Sequence, residues 1–210
     1  MRRTPKFIAL AITSVMLAIQ AHAQSFEEGT NIISVGYGFP NLAKSYFSVW
    51  DDANLYDRSS LGGFGPLHLK FEHALNEKFG IGLSLNLVSA NGKYSYESYN
   101  NNGVLTDYTD EFSMSGWSAL ARLNWHFFNS DKFDPYWGFG IGYRSAKWKY
   151  TYGDPDYSTE NITAKTLIPL GFEITIGARY YVAENIGIYA ETGLAKSIIQ
   201  FGVSYKFGTK

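Results

Sequence analysis

Cysteine is absent from this 210-residue sequence, which excludes disulfide bonds, thiolate metal sites and thiol nucleophiles. Long apolar runs are also absent: after Ile19 no stretch approaches the roughly 18 consecutive apolar residues that a transmembrane helix requires. Three of the 18 basic residues lie within the first six positions, and the remaining 15 face 19 acidic residues. Because a mildly acidic chain has no basic stripe to neutralise phosphates, nucleic acid is excluded as a partner class.

The first 23 residues have the pattern of an export signal. Positive charges precede the apolar run Phe7–Ile19, which is short for a membrane span. Ala21 and Ala23 are the small residues that signal peptidase requires ahead of a new N-terminus at Gln24. The charges belong to Arg2, Arg3 and Lys6. We predict a cleaved signal peptide at 1–23 and a single mature domain at 24–210; the alternative is an N-terminal membrane anchor, and a lipoprotein anchor is excluded because no cysteine follows.

Strict alternation of apolar and small or polar residues is the main pattern of the mature chain. Residues 79–87 read F-G-I-G-L-S-L-N-L, and residues 168–180 read I-P-L-G-F-E-I-T-I-G-A-R-Y. A period of two with bulky apolar groups on one face suits a membrane-spanning β-strand, because one face contacts lipid and the other a narrow lumen. The alternative is a soluble β-sandwich or lipocalin-like barrel, but its exposed face would be rich in Lys, Glu and Thr instead of Gly and Ser.

The number and spacing of these segments predict an all-β, eight-stranded antiparallel up-and-down transmembrane β-barrel. Short polar turns alternate with longer connections rich in Asn, Asp, Gly, Ser and Tyr, an asymmetry typical of short periplasmic turns and long external loops. The predicted strands are 31–39, 65–75, 79–97, 109–128, 133–150, 163–182, 186–195 and 198–207.

Charged residues on the small-residue face are expected to form an ion-pair network in the lumen, since buried charges must be paired. An eight-stranded barrel has an interior barely wide enough for side chains, so we expect the network to plug it; the alternative is a gated ion path. The predicted network comprises Lys70, Glu72, Arg122, Arg144, Glu173, Arg179, Glu191 and Lys206.

The chain resembles the small eight-stranded outer-membrane barrel family that includes the OmpA transmembrane domain and OmpX. The final strand, I-I-Q-F-G-V-S-Y-K-F, carries much of this resemblance, because Phe201, Val203, Tyr205 and Phe207 are similar to the C-terminal signal read by the barrel-assembly machinery. That signal normally ends on the aromatic residue, whereas here three residues follow Phe207. The resemblance implies the outer membrane of a Gram-negative bacterium, with lipid and lipopolysaccharide as surroundings, a monomer, and no cofactor.

Tyrosine-rich strand extensions are the predicted recognition surface. The strands near the middle of the chain are too long for an apolar band of about 25 Å and should rise beyond the outer leaflet. Segments 92–112 and 146–165 would then bind an extracellular protein or surface ligand, through strand addition among other contacts. The candidate residues are Tyr94, Tyr96, Tyr99, Trp148, Tyr150 and Tyr152. We expect an envelope-structural or surface-binding protein, with a narrow porin-like channel for ions or small solutes as the alternative.

Catalysis is the remote alternative. Barrel enzymes that modify lipid A use a His and Ser pair near the outer leaflet, and His126 with Ser130 invites that comparison, but both lie at a short turn and their spacing differs. We therefore expect no enzymatic activity. Acidic segments at 51–52 and 154–156 have the oxygen ligands that Ca²⁺ or Mg²⁺ prefers, although solvated loop acids explain them equally well, so no metal site is predicted.

Overall fold

The computed structural model describes residues 25–45, 58–128, 130–156 and 161–208. These ranges contain nine strands, each antiparallel to its neighbours. The strands are β1 (Asn31–Phe39), β2 (Arg58–Ala74), β3 (Phe79–Tyr99), β4 (Leu105–His126), β5 (Phe133–Thr151), β6 (Ile162–Lys165), β7 (Leu170–Tyr181), β8 (Ile186–Leu194) and β9 (Ile199–Phe207). The predicted signal peptide and its cleavage site, Ala21 to Gln24, lie outside the described residues.

The sheet closes into a barrel because β1 pairs with both β2 and β9. The other strands of the ring pair in chain order, and β5 pairs with β7 along residues 133–143. The short strand β6 pairs with β5 at residues 147–150, beyond the closed ring. The predicted eight-stranded antiparallel up-and-down barrel is therefore confirmed.

The predicted sixth strand, 163–182, is wrong in one respect, because residues 166–169 interrupt it and divide it into β6 and β7. Pro169 has no N–H to donate to a ladder, which disfavours a continuous strand there. The backbone instead bonds at both sides of the break: Arg144 N–H donates to the Pro169 carbonyl at 2.8 Å, and Thr166 N–H donates to the Ala146 carbonyl at 3.0 Å. Leu167, between these bonds, is 96% exposed.

Strand β2 begins at Arg58, seven residues before the predicted start at 65. Its register with β3 shifts between Phe64 and Leu67. Gly65 has a φ of +83°, a conformation that glycine adopts without steric cost, and Pro66 follows it. This bulge permits pairing to continue past a proline, which the sequence pattern treats as a strand boundary.

The outward side chains of the ring form an apolar band. In β3 this band runs from Phe79 to Leu87, nine residues that span about 30 Å along the strand and about 23 Å in height at a tilt of about 40°. Aromatic residues mark both of its edges. Trp117 and Tyr143 pack with ring centroids 5.1 Å apart at the edge nearer the long connections. Trp125, Trp137, Tyr180, Tyr205 and Phe207 lie at the edge nearer the short turns.

Beyond Leu87 the polarity of the two faces is reversed. The outward positions of β3 become polar, at Ser89, Asn91 and Lys93, while the inward positions become apolar, at Val88 and Ala90. We call the part of β2 to β6 beyond this level the extension. Its inward face forms a buried apolar cluster of Val88, Ala90, Tyr94, Phe112, Met114 and Ala146. The extension is thus built as a water-exposed sheet with its own core.

A helical turn at residues 42–45 follows β1, and the remainder of that connection, 46–57, lies outside the described residues. Among the described residues, no helix has the length and apolar character needed to cross a membrane.

Candidate functional site

Arg122 is at the centre of the lumen. Its guanidinium donates to Glu173 at 2.6 Å, to Glu191 at 3.0 Å and to the Thr175 hydroxyl at 2.9 Å. Lys70 donates to the other carboxylate oxygen of Glu191 at 2.7 Å. All of these side chains are buried, so the barrel cross-section at this level is filled by paired charges.

The sheet register explains why Arg122 and Glu173 meet. Arg122 lies opposite Gly140 on β5, and Gly140 lies opposite Glu173 on β7. Because the residue between them has no side chain, the two long chains extend over its backbone and bond directly. A methyl group at the adjacent Gly138 would overlap the guanidinium. Glycine at these positions therefore makes room for the network.

A second cluster lies nearer the short turns. Arg179 donates to Glu72 and, at 3.0 Å, to Asp134. His126 contacts the same two carboxylates, Asp134 through Nδ1 at 2.5 Å and Glu72 through Nε2 at 2.9 Å. Carboxylates only accept hydrogen bonds, so both ring nitrogens of His126 carry a proton and the ring is an imidazolium. The Arg179 guanidinium also stacks 4.3 Å over the ring of Tyr136.

Both ends of this polar lumen are closed. At the short-turn end Phe26 is fully buried and stacks on His126 with ring centroids 3.5 Å apart. At the other end His68 bonds to Asn86, whose amide donates to the Ser118 hydroxyl at 3.0 Å. The buried, hydrogen-bonded side chains between these two ends fill the lumen as a plug requires, and conduction would demand that their bonds break.

The structure brings together six of the eight predicted network residues: Lys70, Glu72, Arg122, Glu173, Arg179 and Glu191. Arg144 departs from the prediction. Arg144 is exposed at the outer mouth and makes no ion pair within the described residues. Its partner in the register with β4 is Ser118, which carries no charge. Lys206 is buried as predicted, and its ammonium also lies 4.9 Å from the centre of the Tyr181 ring.

Asp134, Tyr136 and the ionic role of His126 were not predicted. Tyr136 donates to Glu191 at 2.7 Å. Asp134 and Tyr136 are separated by even numbers of residues from Arg144, which the sequence pattern places on the inward face of β5, so the alternation also predicts that both point inward. The D-P-Y-W sequence hides this pattern, because a proline and two aromatics suggest a turn and a membrane-edge girdle.

The candidate recognition residues do not all lie at the surface. The predicted surface position of Tyr94 is corrected, because this side chain is only 4% exposed and belongs to the core of the extension. Tyr99 is 71% exposed at the tip. The other four are half-buried: Tyr96, Trp148, Tyr150 and Tyr152. Inward alternation continues past the membrane band, and aromatic side chains of the extension pack in pairs: Tyr96 with Tyr108, Phe112 with Trp148, and Tyr150 with Tyr152.

Asp110 organises the half-buried tyrosines. It is buried and accepts hydrogen bonds from the Tyr150 hydroxyl at 2.5 Å and the Gly153 N–H at 2.8 Å. Its negative charge and burial raise the pKa of the Tyr96 hydroxyl, with burial the larger cause. This carboxylate therefore supports the connection after β5 and is not free to receive a ligand.

The His–Ser comparison fails on geometry. His126 bonds to Glu72 and Asp134, while the Ser130 hydroxyl bonds to the Phe133 carbonyl at 3.2 Å. Within the described ranges no group of three or more His, Asp or Glu side chains is arranged to hold a metal ion. Asp154 accepts from the Asp156 N–H at 2.8 Å in its own turn, and residues 51–52 lie outside the described residues.

The outward face of β9 carries Phe201, Val203, Tyr205 and Phe207, the residues of the predicted assembly signal. Each is exposed to the membrane side, and the rings of Tyr205 and Phe207 are 6.1 Å apart. Their role in assembly stays a prediction.

Comparison with known proteins identifies one family model and several similar solved structures. The profile of the outer membrane protein beta-barrel domain matches residues 7–207. Ail, the attachment invasion locus protein of Yersinia pestis, solved in complex with the heparin analogue sucrose octasulfate, is 15% identical with a TM-score of 0.45, over 86% of this chain and 99% of that chain. OprG from Pseudomonas aeruginosa is 11% identical with a TM-score of 0.42, over 88% of this chain and 98% of that chain.

The N-terminal β-barrel domain of Pseudomonas aeruginosa OprF is 15% identical with a TM-score of 0.37, over 86% of this chain and 98% of that chain. No curated protein matches the sequence. The profile match extends over nearly the whole chain and coincides with a closed barrel that carries an apolar band. The chain belongs to the outer membrane protein beta-barrel domain family and is a protein of the Gram-negative outer membrane.

Proposed function

We propose that this protein is a non-conducting surface-binding barrel whose extension binds the phosphate groups of lipopolysaccharide at the outer leaflet. The observation that carries the proposal is an uncompensated cationic face on the extension. Lys147 and Lys149 on β5, together with Lys165 on β6, are exposed on the outward face, and Lys147 lies directly opposite Lys165 in the register.

Other charges of this face are already paired. Arg58 bonds to Asp107 at 3.2 Å and Lys93 bonds to Glu111 at 2.5 Å. The hydrogen bond from Lys93 is the main cause that lowers the pKa of the Glu111 carboxyl. None of the three lysines makes an ion pair within the described part of the chain; Lys149 also feels the charge of Glu111, which Lys93 already pairs, so most of the positive charge is available to an external anion.

The height of the lysines favours lipid phosphates over a distant partner. Tyr143, the last apolar outward residue of β5, marks the edge of the membrane band, and Lys147 follows four residues later, about 13 Å along the strand. Headgroup phosphates lie at this level. Each lysine near an anionic surface contributes about 1 kcal/mol.

The closed lumen supports a role outside the barrel. The alternative, a narrow channel, requires the Arg122 and Arg179 clusters to open. Planar-bilayer recordings of the purified protein should give no steady conductance. Stable openings that pass solutes of several hundred daltons would favour the channel and reject the plugged lumen.

The lipopolysaccharide assignment is tested by unfolding in vesicles with and without phosphorylated lipopolysaccharide. A Lys147→Gln, Lys149→Gln, Lys165→Gln variant should lose about 3 kcal/mol of the stabilisation that lipopolysaccharide confers, and the loss should shrink at high salt. A Lys78→Gln, Lys132→Gln variant is the matched control, because it removes the same kind of charge at the short turns. Equal stabilisation of the triple variant and wild type would refute the assignment and leave an extracellular protein as the partner class.

Binding by strand addition stays a prediction. The edge it would use is β6, which pairs with β5 on one side within the described ranges.

A further inference from the structure

A cavity of about 260 Å³ lies at the outer mouth of the barrel, between the polar lumen and the core of the extension. We call it the vestibule. Its wall is mainly apolar and comes from β3, β4 and β5, from the segment after β1 and from the connection between β8 and β9. The residues that matter here are Leu42, Val88, Met114, Ala146 and Trp148.

Two cations, Arg144 and Lys196, also line the vestibule, and no carboxylate is among its lining residues in the described chain. Neither cation has an ion-pair partner within the described ranges. Burial, and then the nearby charge of Arg144, lower the pKa of the Lys196 ammonium to about 8. Two like charges on an apolar wall repel each other, so an anion between them is favoured.

The buried layer of His68, Asn86 and Ser118 lies on the lumen side of the vestibule. Ser197, the residue after Lys196, connects the two, because its hydroxyl lies 3.4 Å from the His68 ring. The ionisable groups that interact with Lys196 are Arg144 on β5 and His68 on β2, both from strands that are not adjacent to β8 or β9. Arg144 is exposed and Lys196 is half-buried, so among the described residues the vestibule is accessible from the outside. The hydrogen-bonded layer below it separates a ligand in the vestibule from the ion pairs of the lumen.

We propose that the vestibule binds a small anionic amphiphile, a medium-chain carboxylate taken from the external solution. An inorganic anion would leave the apolar wall unused, and a neutral hydrocarbon would leave two cations without a counter-charge. A volume of about 260 Å³ accommodates about nine groups of the size of a water molecule, which matches a carboxylate with a chain of roughly six to eight carbons.

Trp148 provides the reporter, because it lines the vestibule and its ring packs 5.9 Å from Phe112. We would titrate the full barrel in nanodiscs with 2-bromooctanoate, whose bromine quenches tryptophan fluorescence. We expect a saturable component, competed by octanoate, over a linear background from the lipid-facing tryptophans. Trp148→Phe should remove the saturable component.

The contribution of the two cations to binding is tested with Arg144→Gln and Lys196→Gln. Each substitution should weaken binding of the carboxylate about tenfold or more, because each removes a charge-assisted hydrogen bond. The control is Lys147→Gln with Lys149→Gln, which removes two charges from the opposite face and should leave the affinity unchanged. This control also separates the vestibule from the proposed lipopolysaccharide surface.

Three results would overturn the proposal: quenching that never saturates, an unchanged affinity in both charge variants, or equally tight binding of a neutral bromo-octanol. Competition by inorganic phosphate as strong as that by octanoate would likewise reject the amphiphile in favour of a simple anion site.

Discussion

Substitution of Arg122 tests whether the ion pairs of the lumen stabilise the folded barrel. Within the described residues Arg122 is the one hydrogen-bond donor to Glu173, whereas Glu191 keeps Lys70 and Tyr136. Arg122→Met therefore leaves one buried carboxylate without a partner. Loss of one member of a buried ion pair costs about 3–5 kcal/mol. We expect the free energy of unfolding in lipid vesicles to fall by that amount, measured by urea titration with tryptophan fluorescence.

The double variant separates pairing from packing. Glu173→Gln in the Arg122→Met background removes the unpaired charge, so much of the loss should be recovered, with a coupling energy of about 2 kcal/mol. Arg144→Met is the matched control: it removes the same side chain from an inward position outside the network and should change stability by no more than about 0.5 kcal/mol.

A refutation would be clear in either measurement. If Arg122→Met and Arg144→Met had equal effects, the lumen network would add nothing specific to stability. If the two substitutions at 122 and 173 were additive, the bond of 2.6 Å would carry no interaction energy in the membrane-embedded protein.

Three further outcomes are expected. Leu85→Arg, in the middle of the apolar band, should lower the free energy of unfolding in lipid by about 2–4 kcal/mol. Ser89→Arg, two positions beyond the edge of the band, should cost about 1 kcal/mol or less. The reverse order in vesicle unfolding would show that the band is assigned to the wrong part of β3. Tyr94→Ala should open the core of the extension at about 3 kcal/mol and expose 92–112 to protease on intact cells, whereas Tyr99→Ala should not. Octanoate binding should weaken as pH rises through about 8, because deprotonation removes the Lys196 charge. In fluorescence titrations at pH 7 and 9.5, Lys196→Arg should abolish this pH dependence, because arginine stays protonated.

Alternation alone predicts which face of the sheet each residue occupies. The predicted lipid-facing leucines of β3, such as Leu83 and Leu85, are exposed, and predicted lumen residues such as Lys70 and Glu173 are buried. This works because a period of two admits only two faces, and a slip by one residue would place every apolar side chain in the wrong environment.

Height along the barrel is what alternation does not provide. Arg144 has the right parity for the lumen but lies above the network, opposite Ser118. Tyr94 has inward parity at a level where the lumen is apolar, so it packs in a core and not at the surface. Partners across a barrel depend on the register of several strands at once, as in the row from Arg122 over Gly140 to Glu173. A single sequence does not fix those registers.

Charge balance explains why recognition belongs at the outer end. The ion-paired network of the lumen balances its charges: the cations are Lys70, Arg122, Arg179 and the imidazolium of His126, and the carboxylates are Glu72, Asp134, Glu173 and Glu191. A network whose charges are paired has no excess charge with which to select an ion. The described cations without an ion pair include Arg144 and Lys196 at the mouth, Lys147, Lys149 and Lys165 on the extension, and also Lys78 and Lys132 at the short turns. Solvent screens the exposed lysines, but Lys196 is half-buried beside Arg144, so an external counter-ion stabilises its charge more, and the mouth is where we expect binding.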